Sequence, residues 1–206
     1  MSHESTPAVP VGNTYDKYAS QNPIEKAMMR RFLATLDRMV EGLQPTNLLE
    51  VGVGEGEILQ RMAARFPAAT VLGLDLPDEH LAEEWRRRGL PAEFGDVTAL
   101  RFADGEFDLV MAIEVLEHVP EPDAALAELA RVCSGTVVLS VPSEPIWRIG
   151  NMARGRYLRE WGNTPGHVNH WGRRSFRRAV SRHFEVEAVA SPLPWTMLRA
   201  TPRRVG

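Results

Sequence analysis

The sequence contains only one cysteine, Cys133, among its 206 residues. A single cysteine excludes an internal disulfide framework and an all-cysteine zinc site, and the apolar residues around it indicate a buried structural thiol. No hydrophobic run approaches the roughly 18 residues that a membrane span needs. The N-terminus also lacks the basic, apolar and small-residue order of a secretory signal. We therefore predict a cytoplasmic protein without a membrane span.

The hydrophobic fraction of 44% and the charged fraction of 25% are typical of a globular domain, but the charges are unevenly distributed. Residues 1–146 contain 24 of the 27 acidic residues and only 12 of the 24 basic ones. Residues 147–206 hold the other 12 bases against three acids, together with four of the five tryptophans. This asymmetry indicates either an anionic ligand or partner, or a solvated arginine-rich surface.

Strand-like and helix-like segments alternate along most of the chain. After a flexible polar arm (1–22) and a helix that begins at Pro23, we predict strands at 46–51, 70–74, 92–94, 107–113 and 136–141, with helices at 58–66, 78–88 and 123–132. A helix at 173–183 and strands at 186–190 and 195–198 follow. The alternation predicts a single α/β domain over residues 1–206, with a parallel sheet that has helices on both faces. Residues 143–171 do not continue this alternation of strands and helices, and we interpret them as a functional insertion.

A glycine-rich segment with the sequence Glu-Val-Gly-Val-Gly-Glu-Gly-Glu, at residues 50–57, lies between the first predicted strand and the next helix. Glycines at such a turn permit close approach of the backbone to a ligand. A P-loop would need Gly-Lys-Ser/Thr here, and a dinucleotide fold would need glycine where Glu57 stands. S-adenosylmethionine has no phosphate and carries two cationic groups, so it suits the acidic residue Glu50.

Acidic residues follow the next two predicted strands. Asp75 lies 19 residues after Gly56, which is where an acid accepts hydrogen bonds from ribose hydroxyls in a Rossmann-like sheet. Leu76 is then placed to cover an adenine ring, and Asp96 to accept a hydrogen bond from the adenine amino group. The simpler interpretations are a helix N-cap for Asp75 and a turn residue for Asp96.

Taken together, the segments 50–56, 72–75, 95–96 and 107–120 resemble the class I S-adenosylmethionine-dependent methyltransferases. Within them, the chain is similar to the small-molecule branch that includes the ubiquinone-biosynthesis O-methyltransferases. The resemblance implies a Rossmann-like fold with a mostly parallel seven-stranded sheet, S-adenosylmethionine as the cofactor and S-adenosylhomocysteine as the product. It also implies cofactor contacts from nine residues: Glu50, Gly52, Gly54, Asp75, Leu76, Asp96, Val97, Ile113 and Glu114.

Three histidines are the candidate catalytic bases, because a hydroxyl acceptor benefits from a base with a pKa near neutrality. His118 follows the fourth strand, although a packed or capping role in a helix-entry turn is the simpler interpretation. His167 and His170 lie in the insertion at 143–171, where class I methyltransferases usually place acceptor-binding elements, and Trp171 is a candidate wall of that site. A hydrogen-bonded turn that closes the fold is the alternative for this segment.

Arginines precede these histidines within the same insertion. Guanidinium groups suit a carboxylate or phosphate on the acceptor, so we expect Arg148, Asn151 and Arg154 to bind an acceptor that carries an anionic group. The residues Glu114, Glu117 and His118 form an E-x-x-E-H cluster, which is associated with a divalent metal in ubiquinone-pathway relatives. Many metal-free relatives look similar there, so we predict no metal.

The sequence thus predicts a methyltransferase that acts on a small molecule. We expect the methyl group to be transferred to an oxygen atom, and the protein to be a monomer or homodimer. A nucleic-acid methyltransferase that uses the basic C-terminal segment is a second hypothesis. Against it, the sequence after the fourth strand lacks the N/D-P-P-Y/F motif. A non-catalytic cofactor-binding protein is a third.

Overall fold

The structure is a computed structural model that describes residues 22–153, 164 and 166–203, with only the backbone of residues 149–151 and 153. The predicted arm lies outside these residues except for Asn22. The Asn22 side chain accepts a hydrogen bond of 2.9 Å from the Ile24 N–H, so it caps the first helix. No helix among the described residues combines the length and apolar composition needed to cross a membrane.

The described helices are α1 (Pro23–Met39), α2 (Glu57–Arg65), α3 (Glu79–Arg88), α4 (Pro122–Val132), α5 (Ile146–Ala153) and α6 (Arg173–Val180). The described strands are β1 (Asn47–Val51), β2 (Thr70–Asp75), β3 (Ala92–Phe94), β4 (Phe107–Ile113), β5 (Cys133–Pro142), β6 (Phe184–Ala190) and β7 (Trp195–Pro202). Each strand and helix that the sequence predicts is present, and α5 lies inside the predicted insertion.

The seven strands form one sheet in the order β3-β2-β1-β4-β5-β7-β6. All neighbouring strands pair in parallel except at β7, which is antiparallel to both β5 and β6. Buried side chains of α4 and α6, such as Leu126 and Phe176, pack on one face. Those of α1, α2 and α3, such as Phe32, Leu59 and Trp85, pack on the other. The predicted Rossmann-like, mostly parallel seven-stranded fold is therefore confirmed.

Element lengths differ from the sequence prediction mainly near the C-terminus. Strand β5 begins at Cys133 rather than at residue 136, and β7 extends to Pro202 rather than 198. Strand β7 lies between two partners and pairs from Pro142 at one end to Phe184 at the other. This long-range pairing extends the strands past the local apolar signal. Helix α6 ends three residues early, and the N–H groups of Arg182 and His183 bond back only three residues, to the Ala179 and Val180 carbonyls at 3.2 and 3.1 Å.

The carboxyl ends of β1, β2, β3, β4 and β5 meet at the same edge of the sheet, which we call the ligand edge. The loops that leave these ends comprise residues 52–56, 76–78, 95–97, 114–121 and 143–145. In open parallel sheets, ligands bind in the crevice outside these ends, next to the point where the strand order reverses. Here the order reverses between β1 and β4, so the ligand edge beside these two strands is where a site is expected.

Candidate active site

The glycine loop after β1 turns sharply over the end of β2. The N–H groups of Gly52 and Val53 both donate to the Leu74 carbonyl, at 2.7 and 3.1 Å. Gly52, Gly54 and Gly56 all have positive φ angles, of 70°, 51° and 87°, a region that favours glycine. A Cβ atom on Gly52 would lie 2.2 Å from Cγ2 of Val115. The loop therefore needs glycine both for its backbone conformation and for its space.

Asp75 ties this loop to the end of β2. Its Oδ2 accepts the Gly54 N–H at 2.7 Å, and its Oδ1 accepts the N–H of half-buried Leu76 at 2.8 Å. Burial raises the pKa of Asp75, although these two hydrogen bonds act in the opposite direction. The N-cap interpretation of Asp75 is wrong, because Asp78 caps α3 through bonds from His80 and Leu81.

Glu50 is a buried carboxylate beside Asp75. It is only 2% exposed, and its Oε2 atom has no hydrogen-bond partner among the described residues. Burial, followed by the negative charge of Asp75, raises the pKa of Glu50 well above its usual range. A buried carboxylate without a partner is costly, so this position favours a ligand that brings a positive charge.

The third predicted cofactor segment follows β3. Asp96 is exposed, and its Oδ1 accepts the Thr98 N–H and hydroxyl at 2.8 and 2.7 Å. The turn interpretation is thus confirmed, and an additional contact with adenine stays a prediction. Val97 is buried in the core next to this turn.

Glu114 is held firmly at the end of β4, directly after buried Ile113. Its φ angle of 62° is the one positive value recorded for a non-glycine residue in the described part of the chain. Oε1 accepts the Ser140 hydroxyl at 3.1 Å, and Oε2 accepts the Trp195 indole N–H at 2.5 Å. Strained backbone of this kind is concentrated at functional sites, and here it fixes a carboxylate at the ligand edge.

The loop after β4 is bound to the end of the insertion by backbone hydrogen bonds. The carbonyl of Glu117 accepts the N–H groups of Val168 and Asn169 at 2.9 and 3.0 Å. The Asn169 amide donates to the Leu116 and Val119 carbonyls at 3.0 and 2.6 Å. These bonds join segments about 50 residues apart and bring His167 next to His118.

Glu117, His118 and His167, which we call the histidine cluster, have ligand atoms within 4.8 Å of one another. The two imidazole rings meet edge to face at 4.8 Å, and Glu117 and His167 are buried, with 1% and 9% exposed. Nδ1 of His118 lies 3.0 Å from the Gly166 carbonyl oxygen. Because a carbonyl only accepts, Nδ1 carries the hydrogen and the neutral ring has its lone pair on Nε2.

Two tryptophans that were not predicted as site residues lie at the ligand edge, and one of them, Trp147, borders the histidine cluster. Trp147 stacks near His167 at 6.2 Å and donates to the Thr164 hydroxyl at 2.9 Å. Trp195 lies 5.8 Å from Trp147 and holds Glu114. The available signal was the tryptophan enrichment of the C-terminal segment, but the order of residues along the chain does not show that β7 returns to the ligand edge.

Other predicted acceptor residues lie away from the histidine cluster or outside the described residues. His170 is exposed, and the charges of His170 and Arg148 act on Glu144, whose pKa is raised chiefly by burial. Trp171 packs against Phe176 at 5.9 Å, on the core side of α6. Only the backbone of Asn151 is described, and Arg154 lies outside the described residues. Their roles in acceptor binding stay predictions.

Comparison with known proteins identifies the family. Residues 49–139 match the family model described as a methyltransferase domain, which covers the glycine loop, Asp75 and the residues after β4. The fold is similar to that of the magnesium protoporphyrin IX methyltransferase of Synechocystis, solved with bound S-adenosylhomocysteine. That likeness has a TM-score of 0.66 at 19% identity and covers 90% of each chain. Residues 49–139 are thus similar to the methyltransferase domain family, and the described chain shares the fold of a solved methyltransferase.

Two curated relatives match about half of the chain. A malonyl-[acyl-carrier protein] O-methyltransferase of Geobacter sulfurreducens is 33% identical over 122 residues, covering 57% of this chain and 44% of that protein. A ubiquinone biosynthesis O-methyltransferase of Methylococcus capsulatus is 36% identical over 100 residues, covering 45% and 41%. The chain thus spans less than half the length of these curated relatives.

The residues of the glycine loop and of the end of β2 fit S-adenosylmethionine. The unpartnered Oε2 of Glu50 suits the ammonium group of its methionine part, and glycine at residue 52 lets the turn pack directly against Val115. Asp75 is already oriented by Gly54 and Leu76, as an acceptor for ribose hydroxyls would have to be. The cofactor class is therefore consistent with the loop on chemical as well as family grounds.

Replacing Gly52 with alanine is expected to destabilise the protein and to abolish detectable cofactor binding. A non-glycine residue at this positive φ costs about 1–2 kcal/mol, and the new Cβ would in addition displace Val115 from the loop. Gly42→Ala is the matched control, because Gly42 has φ of 77° and nothing within 4 Å of a built Cβ. Urea unfolding and titration calorimetry of both variants check this. Equal losses of stability in the two variants, with unchanged cofactor binding in each, would contradict this expectation.

Proposed function

We propose that this methyltransferase methylates an oxygen atom of a small-molecule acceptor, with the histidine cluster receiving the proton. The observation that carries the proposal is the meeting of His118 and His167 at the ligand edge, next to the strained Glu114. Two imidazoles beside a buried carboxylate are a common arrangement for a general base, because the carboxylate stabilises the imidazolium that forms. The names of both curated relatives, which are O-methyltransferases, support an oxygen acceptor.

The site residues have two roles in this proposal, which are positioning of the acceptor and transfer of its proton. S-adenosylmethionine supplies an electrophilic methyl group, which an acceptor oxygen attacks in line as the carbon–sulfur bond breaks. Nε2 of His118 accepts the hydroxyl proton, while the Gly166 carbonyl holds the ring by its Nδ1–H. Trp147 and His167 form an aromatic wall beside it. Proper placement of the acceptor and removal of its proton are the two contributions that these side chains make.

The insertion at 143–171 is proposed to hold the acceptor. Its helix α5 brings Trp147 to the histidine cluster, and its end is bound to the loop after β4. Trp171 packs against Phe176 away from the histidine cluster, so the proposal does not depend on a contact between Trp171 and the acceptor. Arg148 faces Glu144, so an anionic acceptor group would share this arginine with that carboxylate.

The test is methyl transfer from isotope-labelled S-adenosylmethionine to a panel of phenols, enols and carboxylic acids, with NMR to locate the label. We expect label on oxygen, with activity retained after dialysis against a chelator. Activity that depends on added Zn²⁺ or Mg²⁺ would instead assign the histidine cluster to metal binding, which its donor set also permits. Label on RNA rather than on any small molecule, or cofactor binding without transfer to any acceptor, would refute the proposal.

A further inference from the structure

Helix α6 presents an uninterrupted row of arginines on its outer side. We call Arg173, Arg174, Arg177 and Arg178 the α6 arginine face, and all four are exposed. They follow the spacing i, i+1, i+4 and i+5, which places them on one side of a helix. The residues on the other side, Phe176, Ala179 and Val180, are buried in the core. The four charges therefore point away from the protein together.

None of these arginines forms an ion pair with another described residue, whereas some arginines of other helices do. Arg131 of α4 bonds to Glu128 and Asp104, and Arg87 of α3 bonds to Glu84. Arg182, just after α6, bonds to Asp123. Exposed arginines elsewhere, such as Arg65 and Arg86, also lack an acidic partner among the described residues, but α6 brings four such arginines together within eight residues.

The arrangement also opposes the local preferences of a helix. Arg173 and Arg174 occupy the first turn, where the helix dipole disfavours positive charge, and no acid stands there to offset them. The pairs Arg173–Arg177 and Arg174–Arg178 place like charges four residues apart, which is destabilising. Positions that break several local rules at once, with no compensation inside the fold, are expected at functional surfaces.

The α6 arginine face begins at the ligand edge. The carbonyl of Trp171, two residues before the helix, accepts the Glu144 N–H at 2.8 Å directly after β5. The first turn of α6 therefore lies beside the loop that leads into the proposed acceptor insertion. A partner that contacts this face would sit next to the entrance of the site.

We infer that the α6 arginine face docks an acidic protein surface, such as a helix with carboxylates at the same i, i+1, i+4, i+5 spacing. Guanidinium groups bind carboxylates in a bidentate way. This geometry attracts the partner and also fixes which carboxylate pairs with which arginine. The eight residues of α6 span about 12 Å, a short footprint that matches one helix. An extended polyanion such as a nucleic acid is disfavoured, because it would also approach the acidic residues within 1–146 and be repelled by them. The described part of this face also offers no aromatic side chain on which a base could stack.

The test uses two synthetic helical peptides of equal composition, one with glutamates on a single face at that spacing and one with them distributed around the helix. We expect the single-face peptide to bind at least about tenfold more tightly, with an affinity that falls as salt rises. The variant Arg177→Gln/Arg178→Gln should lose that preference. The control Arg65→Gln/Arg86→Gln removes the same charge from exposed positions on α2 and α3 and should keep it.

Equal binding of the two peptides, or equal loss in both double variants, would show non-specific charge attraction and would overturn the inference. Tighter binding of single-stranded RNA or of phosphatidylglycerol vesicles than of the single-face peptide would also overturn it, in favour of a nucleic acid or a membrane. Because peptide binding is measured without methyl transfer, this result is independent of the proposed chemistry. Circular dichroism of each variant would confirm that α6 remains folded.

Discussion

Replacing His118 with asparagine is expected to lower kcat by about 100-fold or more while leaving the affinity for S-adenosylmethionine nearly unchanged. The Nδ2 amide of asparagine can still donate to the Gly166 carbonyl in place of Nδ1, so the loop after β4 keeps its contact. The lone pair on Nε2 is lost, and with it the group that receives the proton. Steady-state kinetics with the best acceptor of the panel, and calorimetry with S-adenosylhomocysteine, check the two halves of this expectation.

The pH dependence separates a base from a structural residue. In the unmodified protein, kcat/KM should fall on the acid side as the imidazole becomes protonated, and that acid limb should disappear in His118→Asn. His170→Asn is the matched control, since His170 is exposed and lies outside the histidine cluster. A large loss of kcat/KM in His170→Asn, with little change in His118→Asn, would identify His170 as the base instead. His167→Asn provides a second variant should the first fail to fold.

Replacing Glu50 with glutamine is expected to stabilise the ligand-free protein and to weaken its binding of S-adenosylmethionine. The folded protein holds a proton on Glu50 more tightly than the unfolded chain does, because burial and Asp75 raise its pKa. Stability is therefore lost as the pH rises above the usual glutamate range and the buried carboxyl must ionise. Glutamine removes that cost, so the melting temperature at neutral pH should rise by about 3–6 °C.

Cofactor affinity should change in the opposite direction. A cationic ligand stabilises ionised Glu50, so binding releases a proton and strengthens as the pH rises through the same range. Glutamine cannot make a charge-assisted contact, and a loss of about 2 kcal/mol corresponds to roughly 30-fold in Kd. Calorimetry in two buffers of different ionisation enthalpy measures both the affinity and the proton release.

The control for Glu50 is Glu83→Gln, the same chemical change at an exposed position of α3. It should alter neither the melting temperature nor the affinity by more than a small amount. A Glu50→Gln protein that binds the cofactor as tightly as before, with unchanged proton release, would remove Glu50 from the cofactor site. Destabilisation of ligand-free Glu50→Gln would contradict the assigned cost of burying its charge.

The local sequence was sufficient to predict those parts of the site that depend only on residues close together in the chain. The glycine spacing after β1, the acid at the end of β2 and the turn at Asp96 could all be predicted, because backbone conformation and strand ends are set within a few residues. The strand count and the mostly parallel order followed in the same way, from hydrophobic runs and the helices between them. These features position the cofactor, and the family match covers the same residues, 49–139.

The sequence by itself therefore determined the class of fold and the cofactor loop of this protein, but not the histidine cluster. His118 and His167 are about 50 residues apart, and hydrogen bonds from Val168 and Asn169 to Glu117 bring them together. Trp195 reaches Glu114 across 81 residues, since β7 is antiparallel and begins at the ligand edge. Only tertiary structure decided these contacts, because they depend on how distant strands pair and not on the local preferences of either segment.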